Sequence, residues 1–163
     1  MAAAEFALVL PAMLVLVFGS IEVTNALTCK TDVSNAASTG ADLIAQESSV
    51  GASDLLATYS ALGSIVYPNA MGNMKIVLTS VIDDGHGGGK VDWSKSYNAT
   101  ARTAGSAVTV PAGLITTGGS VILSEVTYNY RTPTTYLVNL PITMTDVFYS
   151  KPRRVAQVKW NGP

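Results

Sequence analysis

The densest group of reactive side chains in the 163-residue chain is Asp83, Asp84 and His86, two carboxylates beside the single histidine. Such a trio offers oxygen and imidazole donors to a divalent cation. Its spacing does not follow an EF-hand loop, and no second histidine stands nearby to build a zinc site. Gly85, Gly87, Gly88 and Gly89 surround the trio and suit a tight hairpin tip, where solvated acids need no metal. The run GGGKV lacks the Ser or Thr that follows lysine in a phosphate-binding loop. Nucleophilic catalysis requires an activated Ser or Cys held against a base. With His86 alone in a glycine-rich loop, no triad is expected, and the sequence points to no catalytic, cofactor-binding or metal-binding residue. Cys29 is the one cysteine, so it forms no disulfide within the chain and is read as a small packing residue.

Two further clusters have a binding and a structural reading. Trp93, Tyr128, Tyr130 and Tyr136 offer an aromatic recognition surface, but alternate positions on a strand place one face against a core, and core packing is the expectation. Lys151, Arg153 and Arg154 around Pro152 suit contact with anionic lipid heads or an acidic neighbour. A solvated strand end accounts for them equally well.

Composition narrows the class. Hydrophobic residues reach 48% and charged residues only 13%, with a mean hydropathy of +0.32. That is more apolar than an ordinary soluble domain, which carries roughly 25% charged residues. The net charge of −1 provides no basic face for nucleic acid, so that partner is set aside. The length suits about one domain with one extra element.

The extra element is at the N-terminus. Phe6 to Ile21 is free of charge and bracketed by Glu5 and Glu22. As a helix its sixteen residues extend about 24 Å, short of the roughly 30 Å hydrocarbon core of a bilayer. No cation precedes it and no small-residue cleavage site ends it, unlike a secretory signal. Apolar or small residues continue at helical spacing through Val23, Ala26, Leu27, Val33, Ala36, Ala37, Leu43 and Ile44, which predicts one helix over about 2–46. Pro11 removes a backbone donor and predicts a kink or local opening near Leu10. A carboxylate at Glu5 beside so apolar a segment is costly unless partnered, or else it complements the positive end of the helix.

MAAAEFALVLPAML followed by GSIEVTNAL resembles the mature N-terminus of the TadE-like pseudopilins of tight-adherence (Flp) pili, relatives of type IV pili. Met1, Glu5, Phe6, Pro11, Gly19 and Glu22 occupy that pattern. SVILSEVTYNYRTP (120–133) and FYSKPRRV (148–155) are similar to the last strands of the family. The resemblance implies a precursor cut by a prepilin peptidase, Met1 as the processed first residue, storage in the inner membrane, and extraction by a pilus assembly platform. It also implies packing of the helix against copies of itself or other pilins, with Glu5 meeting the N-terminal amine of a neighbour.

The rest of the chain reads as a small α+β head. ESSVGAS breaks the first helix, and Asp54 to Val66 predicts a second one, with Ser53 as cap and Pro68 as stop. Met74–Ile82, Val91–Tyr97, Val121–Tyr130 and 142–149 carry the β-branched and aromatic residues of strands, enough for a roughly four-stranded antiparallel sheet. Residues 98–119, rich in Ala, Thr and Gly, are expected as an exposed loop. The expected organisation is a stalk helix over 1–47 and a head over 48–163. A structural pilus subunit is the leading function, for surface adhesion and biofilm formation. The alternative is a membrane-anchored extracytoplasmic binding module that recognises a ligand through the 98–119 loop; an enzyme ranks third.

Overall fold

The computed structural model describes residues 2–132 and 141–162, with side chains from residue 5 onward. Met1 and Tyr136 lie outside the described residues. The first helix, α1, runs over Ala2–Ala45 and continues through Pro11 without interruption. The second, α2 (Ala52–Ile65), starts two residues earlier than the sequence predicts. Its N-cap is Gly51 instead of Ser53, and the Asp54 carboxylate accepts the Gly51 N–H at 2.7 Å, satisfying a helix-end donor.

The four predicted strands are present and three short ones join them. β1 (Ser49–Val50) and β7 (Lys159–Trp160) pair in parallel. The main sheet contains β2 (Met74–Asp83), β3 (Gly89–Tyr97), β4 (Ala107–Val108), β5 (Ser120–Tyr130) and β6 (Ile142–Ser150). Its order is β4-β3-β2-β5-β6 and every pairing is antiparallel. The result is a pilin-like α+β fold: a long apolar helix, a second helix and an antiparallel sheet.

Helical spacing explains how α1 meets this sheet. Cys29, Val33, Ala36, Ala37, Gly40, Ala41 and Ile44 recur at three- and four-residue steps, so they form one stripe, and all are buried. They pack on Ile76, Leu78, Ile122, Val126 and Tyr128 of the central strands, together with Leu55, Tyr59 and Leu62 of α2. The small residues of the stripe let α1 lie close to the sheet. At Gly40 a Cβ would stand 3.0 Å from both Leu62 Cδ1 and Ser124 Oγ.

The opposite face of the sheet has its own small core of Val81, Val91, Val108, Val121 and Leu123. Strict alternation would put Val91 and Trp93 on one face. The register instead shifts, Ser80 facing Trp93 and Val81 facing Val91, which leaves Asp92 as the extra residue of a β-bulge. Val91 thereby joins the second core while Trp93 joins the first, where its Nε1–H donates to the Val158 carbonyl at 2.8 Å.

The 98–119 segment is largely the exposed loop expected of it, with one addition. It contributes β4, and Val108, Val110 and Ile115 cover the second core. Arg102 donates from both Nε and Nη2 to Glu125 at 2.9 and 2.7 Å, which fastens the segment to β5. The polar composition hid this because only a few apolar residues in the segment perform the covering.

Candidate assembly and anchoring surface

The N-terminal half of α1 is where the chain departs from a self-contained globule. From Glu5 through Ile21 nearly every residue is exposed, Leu8 at 82% and Phe6 at 61%. The segment is long and apolar enough to cross a membrane, and none of its most hydrophobic window is buried within the chain. Burying a large apolar side chain is worth about 1.5–3 kcal/mol, so covering the eleven between Phe6 and Ile21 amounts to about 15–30 kcal/mol. That exceeds the usual 5–15 kcal/mol stability of a whole domain. The segment therefore resides against lipid or other protein.

The sequence-predicted residues divide along this helix. Glu5, Phe6 and Pro11 lie on the exposed part. Gly19 is half-buried with open space where a Cβ would project, so it leaves a shallow notch in the helix surface. Glu22 stands apart from them: it is 8% exposed and heads the buried stripe that continues to Cys29. Its carboxylate is near enough to Tyr130 to raise that phenol's pKa, behind the larger effect of burial.

Where α1 passes the head, it runs beside β6, the outer strand of the sheet. Lys30 donates to the Thr145 carbonyl at 2.9 Å and to Asp146 Oδ2 at 3.2 Å, while Ser34 Oγ donates to the same carboxylate oxygen. Asp146 Oδ1 in turn accepts the Val147 N–H at 2.9 Å. The Ser34 hydroxyl, then Lys30, hold the Asp146 carboxyl below the usual carboxylate range. Thr145 and Val147 share the outward edge of β6 because residues two apart in a strand point their backbone groups the same way. Lys30 and Asp146 therefore close an edge that would otherwise invite another strand. This device was not legible beforehand, since it joins positions more than a hundred residues apart.

Two grooves flank the cluster. One, of about 450 Å³, is lined by Val23, Ala26 and Leu27 of α1 and by Ile142 and Met144 of β6. The other, of about 360 Å³, lies farther along between Thr39, Asp42 and Leu43 of α1 and Phe148 of β6, and Arg153 borders it. Arg153 pairs with Asp42, and its backbone N–H donates to the Ala45 carbonyl at 2.9 Å, satisfying an acceptor at the end of α1. The basic cluster of 151–154 is thus split: Arg153 is a helix-end contact and Lys151 reaches the Gly113 carbonyl at 3.4 Å.

The other candidates resolve locally. Asp84 Oδ1 accepts the backbone N–H groups of His86 at 2.7 Å and Gly88 at 2.8 Å, and Asp83 Oδ1 that of Gly85 at 3.0 Å. These bonds, the His86 one foremost, lower the Asp84 pKa. Among the described residues no group of three or more His, Cys, Asp or Glu side chains is arranged to hold a metal ion. Trp93, Tyr128 and Tyr130 are core residues, and Tyr128 donates its hydroxyl to the Ala70 carbonyl at 3.1 Å.

A membrane-suited helix emerging from a compact head, with a paired and closed outer strand, defines a pilin-like anchored protein. Residues 1–42 match the TadE family, described as TadE-like protein. Over that segment the chain is TadE-like, which associates it with Tad pilus systems. No curated protein and no solved structure matches the chain.

Proposed function

We propose that the chain is a structural subunit, a pilin or minor pseudopilin, of a tight-adherence type IV pilus serving surface adhesion and biofilm formation. In this reading a prepilin peptidase processes it, the inner membrane stores it through α1, and the assembly platform transfers it into an extracellular filament of copies of itself or other pilins. The role is mechanical and not catalytic. Met1, Glu5, Phe6, Pro11, Gly19 and Glu22 carry assembly, Glu22 from beneath the head.

The observation that carries the reading is the apolar surface of α1 between Phe6 and Ile21, which the chain itself leaves uncovered. Lipid covers it in storage, and sister helices cover it afterwards at no loss of apolar burial. The anchored binding module is less well supported, because the apolar residues of the 98–119 segment assigned to recognition, Val108, Val110 and Ile115, are used to cover the sheet. The test is to shear filaments from cells and probe them for the chain. The reading expects it in the sheared fraction and expects its loss there when residues 2–23 are replaced by an unrelated anchor. Recovery in the membrane fraction alone, with filaments devoid of it, overturns the proposal.

A further inference from the structure

We propose that the rim of the head beside the base of the stalk, formed by Val23 and Leu27 of α1 with Ile142 of β6, seats in the lipid headgroup layer while the chain is stored in the membrane. The inference rests on the membrane-anchoring part of the function proposed above and adds a second lipid contact, made by the head.

Three observations meet at this rim. The all-round apolar run from Phe6 to Ile21 extends about 24 Å, some 6 Å less than a typical hydrocarbon core. Beyond Ile21 the exposed apolar surface continues on one side of α1 only. Val23 and Leu27 are 60% and 64% exposed, whereas Glu22 turns beneath the head and Thr24, Asn25 and Thr28 present polar groups elsewhere. Leu27 stands about 9 Å past Ile21 along the helix, so this side supplies the missing length. Ile142, 41% exposed, lies across the groove from Val23 and Leu27 and widens the strip from a helix edge into a surface.

Charge and aromatic placement agree with a lipid occupant. Arg131, adjacent to Tyr130 at the same end of β5, is exposed. Lys30, paired with Asp146, borders the groove on its far side from the apolar run. Cations just beyond an apolar surface suit anionic headgroups. Tyr67 is 80% exposed and three residues from Ala70, whose carbonyl binds Tyr128 at this end of the sheet. An exposed tyrosine near the bilayer surface is the usual occupant of the interfacial belt. A short span relieves its mismatch by tilting and by flanking anchors. A tilt toward β6 brings Val23, Leu27 and Ile142 down together.

The experiment places single cysteines at Leu14, Ile142 and Leu56 of the full chain and labels each with an environment-sensitive fluorophore. Cys29 is fully buried and does not compete for the label. The proteins are reconstituted in phosphatidylethanolamine–phosphatidylglycerol vesicles with lipids carrying a nitroxide near the headgroup or deep in the acyl chain. Leu14→Cys is expected to lose fluorescence to the deep nitroxide, Ile142→Cys to the shallow one, and Leu56→Cys to neither. If Leu14→Cys is quenched and Ile142→Cys retains the emission of a water-exposed label, the seated rim is wrong while the anchor stands. If the Ile142→Cys label is shielded but unquenched, and dilution of protein in lipid removes the shielding, a second copy covers the groove and the lipid proposal is overturned. If Leu14→Cys is not quenched, the membrane reading of the stalk fails, and the rim with it.

Discussion

At Gly40 α1 lies close to the sheet, and the cost of a methyl group there can be worked from the contacts. A Cβ would meet Leu62 Cδ1 and Ser124 Oγ at 3.0 Å each and Leu78 Cδ2 at 3.5 Å. Gly40→Ala gains about 1 kcal/mol of helix propensity and costs about 1–3 kcal/mol by overfilling a packed core. The net expectation is a destabilisation of about 0–2 kcal/mol. Ser124 controls the outcome, because its hydroxyl is buried and has no hydrogen-bond partner among the described residues. An unpartnered buried hydroxyl costs about 1–3 kcal/mol, so Ser124→Ala is expected to be neutral or stabilising despite the lost atom. In the double variant the methyl at position 40 enters the space that Oγ vacates. The double variant should then exceed the sum of the single effects by at least about 0.5 kcal/mol. The assay is urea unfolding of the full chain in mild detergent. Tryptophan emission is its probe, since buried Trp93 lies 6.1 Å from Trp160 and reports core opening. Additive single effects, or Gly40→Ala stabilising by the full propensity gain, refute the close approach of helix and sheet.

Asp146→Ala removes the carboxylate that, with Lys30, closes the β6 edge. It is expected to lower stability by about 1 kcal/mol and, in light scattering, to promote association that Lys30→Met reproduces. Since the Asp146 pKa is depressed in the fold, its contribution is present above the ordinary aspartate value and is lost as pH falls through the folded value. Acid titration followed at the His86 and Gly88 amide resonances should give a midpoint below that of an ordinary aspartate, because Asp84 accepts both N–H groups. Asp84→Asn should abolish that titration. Tyr59 is pushed up to about 12 by burial. Its raised value makes the neutral phenol a source of stability that is complete below the unfolded pKa, roughly 10, and is lost as pH rises toward 12. Tyr59→Phe is expected to preserve stability at neutral pH and to reduce base-induced unfolding in that window, measured by circular dichroism.

The sequence was most informative where one periodicity persists. The long helix, its apolar first half and the four main strands follow from uninterrupted patterns of apolar residues, and both helix starts lie within two residues of expectation. It was less informative where the decisive contact is distant. Helical spacing foretold a stripe on α1 but not its rotation. Val23 and Leu27 were grouped with Val33, whereas the sheet buries the face of Cys29, Val33 and Gly40 and leaves those two outside. β1 and β7 are two residues each and carry no period; they pair because the tail returns past Trp93 to the end of α1. The bulge at Asp92 likewise answers to packing on both sides of the sheet. Of the residues proposed for assembly, Glu5 and Glu22 stand out in the sequence as the charges that bracket the apolar run. The Lys30–Asp146 closure and the Ile142 rim needed the fold.

The same helix that leaves the head also builds it, and this constrains how the two parts respond to load. The stripe from Cys29 to Ile44 packs against β5 and the edge strand β6 and reaches the Ile76 and Leu78 side chains of β2. Rotating α1 to offer another face to a neighbour would expose that stripe, and each large side chain exposed costs about 1.5–3 kcal/mol. The direction in which Phe6, Leu14 and Leu27 point is consequently fixed by Val33 and Ile44. Tension along the stalk passes into the β5–β6 side of the sheet, with Lys30 and Arg153 tying the helix to β6 and to the tail. A hinge near residue 24 would require exposed polar positions on every face, but Ala26 packs on the core and Glu22 is already buried beneath the head. Packing therefore holds α1 to the head from Glu22 onward, and the helix is free of the head over its exposed apolar part before Ile21.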